Sequence, residues 1–323
     1  MGACLDGSSG PCQGRDVTRP ALADYRSRIP AQLRRETSDP ERTSSTWGGC
    51  RVSVLRRRAP EAPVRLVLIH GAGGHAAALW PVAELVPEHL AELVAPDLPL
   101  YGDTECGDPA AVRYGDWVRL LVDFLAAEDD GRPVVLLGAS IGGMLAYEAA
   151  ARSGAASAAV ATCLLDPRSP AVQRVMTRFG PFGMLAGPLA RLAPARLERA
   201  MIPVGWVAAL GGMNRDPELV RLCRRDPRGG AAKVPIGFLT SFLRYRHVPP
   251  ERMATEVTLA HPARDAWTPV RVSLPWFSRL SRPGPIVLLP ECGHFPVEEP
   301  GLSRLIATLA EVCERTAAPG RAP

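Results

Sequence analysis

The sequence is nearly without lysine: of 38 basic residues only Lys233 is one, and the rest are arginine. Aromatic residues make up only 6%. No apolar run approaches the roughly 18 uninterrupted residues that a membrane-spanning helix needs, so no integral membrane segment is expected. No Gly-X-Y period accompanies the 30 glycines and 33 prolines, which excludes collagen. The eight cysteines stand singly, with no C-x-x-C pair and no Cys/His cluster at zinc spacing. No metal site is therefore expected. The N-terminus, MGACLDGSSGPCQGRD, lacks the basic and apolar regions of a signal peptide, and Asp6 stands where a myristoylation signal wants Ser or Thr. These absences lead to the expectation of a cytoplasmic protein with free thiols. The net charge of +5 is scattered, in a chain whose Arg, Ala, Gly and Pro usage suits GC-rich codons, so no nucleic-acid partner is expected. The tight run Arg56-Arg57-Arg58 ends a strand-like segment and is read as solvated rim.

What remains is apolar enough, at 46%, to close a sizeable core within 323 residues. Residues 1–46 are rich in Gly, Ser, Pro, Arg and Asp, and read as a mostly disordered extension; 317–323 read as a disordered tail. From Cys50 the texture changes. CRVSVLRR alternates like a strand, and VRLVLIH (64–70), ELVAPD (92–97), PVVLLG (133–138) and AVATCLLD (159–166) are buried-strand runs. Helical spacing follows the runs that end at 70, 97 and 138, over Ala76–Leu90, Trp117–Ala127 and Ile141–Arg152. The alternation lapses over 167–255, where short helical pieces sit among Gly and Pro. It resumes with EVTLAHP (256–262), SLPWFSRL (273–280), PIVLLPE (285–291) and a last helix near Leu302–Arg315. Such alternation predicts an α/β fold with a doubly wound, mostly parallel sheet over 47–166 and 256–316. Residues 167–255 read as a helical cap inserted over the carboxyl edge of the sheet, where ligands bind in such folds.

Gly138-Ala139-Ser140-Ile141-Gly142, with Gly143 following, lies between a strand and a helix. A sharp turn there would lift the Ser140 hydroxyl clear of the sheet, and the small residues suit a strained, crowded backbone. A serine nucleophile needs a base, and His294, after the last strand, can return to the sheet edge. The base needs a carboxylate to fix its tautomer. Asp265, after the EVTLA strand, is favoured, and Asp166, at the end of the strand after Ser140, competes. His70-Gly71-Ala72-Gly73-Gly74 can turn backbone N–H groups toward a developing oxyanion; Ala72 and Ile141 are the nominated donors, with Gly73 as a further contributor. His70 is read as part of a turn, and His261 as shaping its loop. The same glycines fit a loose dinucleotide fingerprint, Gly71-x-Gly73-x-x-Ala76, with Asp97 ending the next strand. A nicotinamide enzyme is thus the rival of another class, though it leaves Ser140, Asp265 and His294 without a role.

Taken together, HGAGG (70–74), PDLPLYGDT (96–104), GASIGG (138–143), HPARDAWTP (261–269) and CGHFPVEEP (292–300) resemble the α/β-hydrolase superfamily over about 50–315. The chain is most similar to its bacterial capped members of lysophospholipase or monoacylglycerol-lipase type. The resemblance implies Ser140 as nucleophile, His294 as base, Asp265 as acid, Ala72 and Ile141 as oxyanion donors, and no cofactor. Ala139 and Ile141 stand where those lipases commonly carry His and Met, which puts the lipid assignment in doubt but not the three catalytic positions. It further implies a cap that sets specificity, where Phe179, Phe182, Met184, Leu185 and Trp206 are candidates to line an apolar pocket. The expected activity is hydrolysis of a small-molecule ester, thioester or amide with an apolar acyl portion. A C–C bond hydrolase or biosynthetic acyltransferase with the same residues, and a non-catalytic binder on the same fold, are the alternatives.

Overall fold

A computed structural model describes residues 19–178 and 195–318. The strands are β1 (Glu41–Trp47), β2 (Cys50–Arg57), β3 (Val64–Ile69), β4 (Ala91–Pro96), β5 (Glu105–Cys106), β6 (Val134–Gly138), β7 (Ala156–Ala161), β8 (Met201–Pro203), β9 (Lys233–Pro235), β10 (Glu256–Pro262) and β11 (Pro283–Leu289). The helices are α1 (Leu22–Arg26), α2 (Ala76–Ala83), α3 (Tyr114–Ala127), α4 (Ile141–Ser153), α5 (Pro170–Met176), α6 (Ala195–Glu198), α7 (Pro217–Arg225), α8 (Ile236–Arg244), α9 (Leu274–Phe277) and α10 (Gly301–Ala317). A nine-stranded sheet runs β1-β2-β4-β3-β6-β7-β10-β11, with β5 paired to β2. The strands from β4 to β11 in that order are parallel, whereas β1 and β2 are antiparallel to their neighbours.

The parallel strands are covered on both faces by helices, which is why β3, β4 and β6 are buried at every position and read as mostly apolar runs; the two charges among them, Arg65 and Glu92, are buried and paired with each other at 3.3 Å. The helix α4 ends where Gly154, at φ +64°, takes the left-handed conformation, and its N–H returns to Ala150 O at 3.1 Å. The strands β7 and β10 pair directly, and between them the chain leaves the sheet to form α5, α6, the β8–β9 ribbon, α7 and α8. This inserted segment sits on the core through aromatic contacts: Trp117 and Phe238 have ring centroids 4.6 Å apart, and Tyr114 and Phe242 5.0 Å.

Three expectations change. Residues 19–46, read as mostly disordered, carry α1 and β1, with Tyr25 and Ile29 buried; β1 is an edge strand whose polar residues gave no burial signal. Residues 1–18 lie outside the described residues, as do Cys4 and Cys12. Not every thiol is free: Cys50 and Cys106 meet across the β2–β5 pairing and form a disulfide, while Cys163, Cys223, Cys292 and Cys313 are free and buried. The helix after β3 stops at Ala83 rather than Leu90. Among the described residues no helix is long and apolar enough to cross a membrane.

The close packing of α4 on the sheet is directly testable. A Cβ on Gly143 would lie 2.1 Å from the Cys163 carbonyl oxygen, a backbone atom that cannot swing aside. Gly143→Ala should destabilise the protein by about 2 kcal/mol or more, lowering the melting temperature by roughly 4 °C or more. An unchanged melting curve would contradict this packing.

Candidate active site

The turn after β6 is built around absent side chains. A Cβ on Gly138 would strike Gly142 O at 2.1 Å, and one on Gly142 would strike Ile69 O at 2.2 Å. Within this press Ser140 adopts φ +57° and ψ −126°, a strained conformation for a residue with a side chain. Its N–H is fixed by donation to Thr162 Oγ1 at 2.9 Å. The side chain is left at the sheet's carboxyl edge, lining a cavity shared with His294 and with the 70–75 loop.

His294 and Asp265 come from the loops after β11 and β10, which are parallel neighbours in the sheet. The His294 Nδ1–H donates to Asp265 Oδ2 at 2.7 Å. The same oxygen accepts the Thr268 hydroxyl at 2.8 Å, while Oδ1 accepts the backbone N–H groups of Trp267 at 2.9 Å and Thr268 at 2.8 Å. With Nδ1 donating, the neutral ring carries its lone pair on Nε2, which is buried without a hydrogen-bond partner among the described residues. Ser140 Oγ and His294 share no hydrogen bond in this structure, although both face the one cavity. The competing carboxylate, Asp166, caps its own turn by accepting from Arg168 N at 3.0 Å.

Burial alone would raise the Asp265 carboxyl, but its hydrogen bond to His294, the imidazolium charge and the Thr268 donors hold it below the usual range. Burial would lower His294, yet the hydrogen bond to Asp265, the nearby Cys163 sulfur and the Asp265 charge outweigh it and raise the imidazole above its usual value. Cys163 is a neighbour that sequence reasoning did not single out. It lies two residues after β7 with no motif around it, and its sulfur lies 3.3 Å from Thr268 Oγ1. Cys163, Asp265 and His294 offer ligand atoms within 4.8 Å of one another, as a metal would require. The three are joined by hydrogen bonds instead: the Thr268 hydroxyl contacts all of them, at 3.3, 2.8 and 3.1 Å, and His294 Nδ1 donates to Asp265.

The 70–75 loop crosses in front of Ser140. A Cβ on Gly71 would lie 2.9 Å from Ala139 O and 3.0 Å from Ser140 Cβ. His70 braces the loop: its Nε2 accepts Leu98 N–H at 3.0 Å, so Nδ1 carries the proton and donates to Gly71 O at 2.9 Å. Burial lowers its pKa to about 4, keeping the ring neutral. The N–H groups of Ala72 and Ile141 have no hydrogen-bond partner among the described residues. Asp97, which a dinucleotide site would offer to a ribose, is buried and accepts Ala76 N at 2.7 Å and Asp103 N at 2.9 Å, so it is not available.

Apolar side chains of Ala78, Leu79, Met213, Trp267 and Phe295 complete much of the cavity wall, together with Gly73. Met213 and Asn214 of the inserted segment also hold the His294 loop, through Phe295 N to Met213 O at 2.9 Å and Asn214 Nδ2 to Phe295 O at 2.7 Å. Trp206, expected to line the pocket, is instead 63% exposed and outside this cavity; its short 3-10 turn buries Val204 in its place. Phe179, Phe182, Met184 and Leu185 lie outside the described residues.

A family model described as the alpha/beta hydrolase family matches residues 66–302. No curated protein matches the chain by sequence. Among solved structures, a soluble variant of monoglyceride lipase from Saccharomyces cerevisiae, in complex with a substrate analogue, is similar with a TM-score of 0.68 and 16% identity, over 88% of this chain and 97% of that one. The monoacylglycerol lipase of Paleococcus ferrophilus gives 0.62 and 19%, over 82% and 99%. A bacterial membrane phospholipase A gives 0.58 and 22%, over 90% and 91%. At these identities the likenesses speak for the fold.

The His294–Asp265 pairing carries its own test. In Asp265→Asn, burial loses its largest counterweight, and His294 should titrate at lower pH than in the wild type, as read by NMR of the ring protons. An unmoved midpoint would mean that another group sets the charge on this histidine.

Proposed function

The chain belongs to the alpha/beta hydrolase family, and on that premise we propose that it is a serine hydrolase cleaving a carboxylic ester with an apolar acyl group. One observation carries the reading: His294 is held by Asp265 through Nδ1 while its Nε2 has no hydrogen-bond partner among the described residues, beside the cavity that Ser140 lines. A base so oriented can take the Ser140 proton as Oγ attacks the ester carbonyl. Oγ–C bond formation gives a tetrahedral oxyanion, for which the free N–H groups of Ala72 and Ile141 are suited as donors. Collapse breaks the C–O bond to the alcohol, which leaves with the proton from His294 Nε2. Water, deprotonated by the same nitrogen, then cleaves the acyl-enzyme and restores Ser140. Asp265 stabilises the imidazolium in both halves without taking its proton.

The apolar wall of Leu79, Met213, Trp267 and Phe295 favours an acyl chain over a charged group. The lipase names of the structural neighbours accord with that preference, and a thioester or amide with the same acyl portion would fit the same machinery. The inserted segment acts as the cap. It covers the cavity with Met213 and steadies the histidine loop through Asn214.

A fluorophosphonate should label Ser140, located by peptide mass spectrometry, and Ser140→Ala should lose turnover of aryl esters by roughly 10⁴–10⁶ with the fold intact. Near-full activity in that variant would end the proposal; labelling elsewhere would move the nucleophile. Because the attacking base must be deprotonated and His294 is raised, kcat/KM should climb with pH through a midpoint above the 6.5 of free imidazole. A profile that is flat across that range would exclude His294 as the base.

A further inference from the structure

The cavity beside Ser140 is lined in part by a residue from ahead of the α/β core, Tyr25. The 70–75 loop runs along one side. Ser140 abuts the start of this loop at Gly71. At its other end, the ring of Tyr25 stands edge-on to His75 with centroids 5.4 Å apart. The loop is folded back by Gly74 N–H donating to Gly71 O at 3.1 Å, which keeps those two Cα atoms within about 7 Å. Ser140 and Tyr25 therefore bound the same short space, and both line it.

Tyr25 belongs to α1, ahead of the sheet and ahead of the residues matched by the family model. It is only 2% exposed and is clamped in place. Its hydroxyl donates to Asp226 Oδ2 at 2.8 Å, and the same oxygen faces His75 Nε2 at 2.9 Å. Arg228 reaches this fully buried carboxylate with Nε at 3.3 Å and Nη2 at 3.2 Å. With its polar end tied to the inserted segment, the ring cannot swing out of the wall, and it presents an apolar surface toward the cavity.

We propose that Tyr25 sets substrate length: its ring closes the far end of the acyl pocket, so that a segment preceding the core, fastened by Asp226, limits the straight-chain acyl group that is accepted. The inference rests on the serine-hydrolase reading only for placing the acyl carbonyl at Ser140.

The test uses the full chain and reads binding and turnover separately. n-Alkanoates from butanoate to dodecanoate are titrated calorimetrically, and kcat and KM are measured for the matching p-nitrophenyl esters. In the wild type, affinity should rise about fourfold per methylene and then stop rising at a limiting length. In Tyr25→Ala that limit should move out by at least two methylenes, so that chains just beyond it bind about tenfold tighter or better, with the ratio of kcat/KM for long over short esters rising alike. Tyr25→Phe, which keeps the buried ring and loses only the hydrogen bond to Asp226, should retain the wild-type limit at a lower melting temperature. Should the alanine variant fail to fold, Tyr25→Leu supplies a smaller apolar side chain and the same direction of change. No alkanoate binding by the wild type, one limit in every variant, or a uniform fall at all lengths would overturn the inference. A shifted binding limit without any ester turnover would instead defeat the hydrolase reading and leave the pocket assignment standing.

Discussion

Backbone pressed against backbone is what fixes the candidate nucleophile. Around Ser140, the carbonyls of Ile69 and Cys163 come so near to Gly142 and Gly143 that a single methyl group on either would collide at 2.2 or 2.1 Å. These carbonyls end β3 and follow β7, the two strands that flank β6. The turn is thus gripped from both sides by its own neighbours in the sheet. A non-glycine residue at φ +57° costs on the order of 1–3 kcal/mol, and such a cost persists only where the surroundings dictate the conformation. Here they do, through sheet pairing that was already needed for the core.

The electrostatics of His294 and Asp265 depend on that same edge. Their loops follow adjacent parallel strands, so the two side chains arrive together without a long search through conformations. Burying one carboxylate alone would be costly. Asp265 avoids this because both of its oxygens are occupied, Oδ1 by two backbone N–H groups and Oδ2 by the Thr268 hydroxyl and the imidazole. A carboxylate satisfied in this way has no need to move, and the ring it orients keeps Nε2 without a partner among the described residues. The strain at Ser140 and the order at Asp265 are therefore two consequences of one sheet edge.

Strands buried on both faces of a sheet are largely apolar, and that is why β3, β4 and β6 were legible as VRLVLI, AELVAP and VVLLG, with the one charge in each of the first two, Arg65 and Glu92, paired to the other. The turn at Ser140 was legible for a related reason, since only glycine fits at 138, 142 and 143. The edge strand β1 gave no such sign. ERTSSTW is exposed or half-exposed along its whole length, and an edge strand with a solvated face can be made of almost anything polar. The segment carrying α1 was hidden differently: Tyr25 and Ile29 are its buried anchors, too few to make a period. Hardest to foresee was the meeting of His75 with Asp226, residues 151 positions apart, each an ordinary loop residue by its neighbours. The Cys50–Cys106 link was invisible likewise, because only the β2–β5 pairing brings the two together.

Asp226 explains how three stretches distant in sequence act as one wall. Where the inserted segment meets the 70–75 loop the approach is close: a Cβ on Gly229 would come within 2.7 Å of Gly73 O, and one on Gly73 would lie 3.3 Å from Leu210 Cδ2 and 3.8 Å from the Cα of Gly230. Contact of that kind sets distance but supplies little direction. Direction comes from the carboxylate, which takes His75 from the loop, Tyr25 from the leading segment and Arg228 from its own turn. A buried charge with three kinds of donor tolerates the loss of none of them well, since whichever partner leaves exposes it to an apolar surround. The leading segment is consequently bound to the same group that seats the inserted segment on the loop, and the shape of the cavity beside Ser140 belongs to all three.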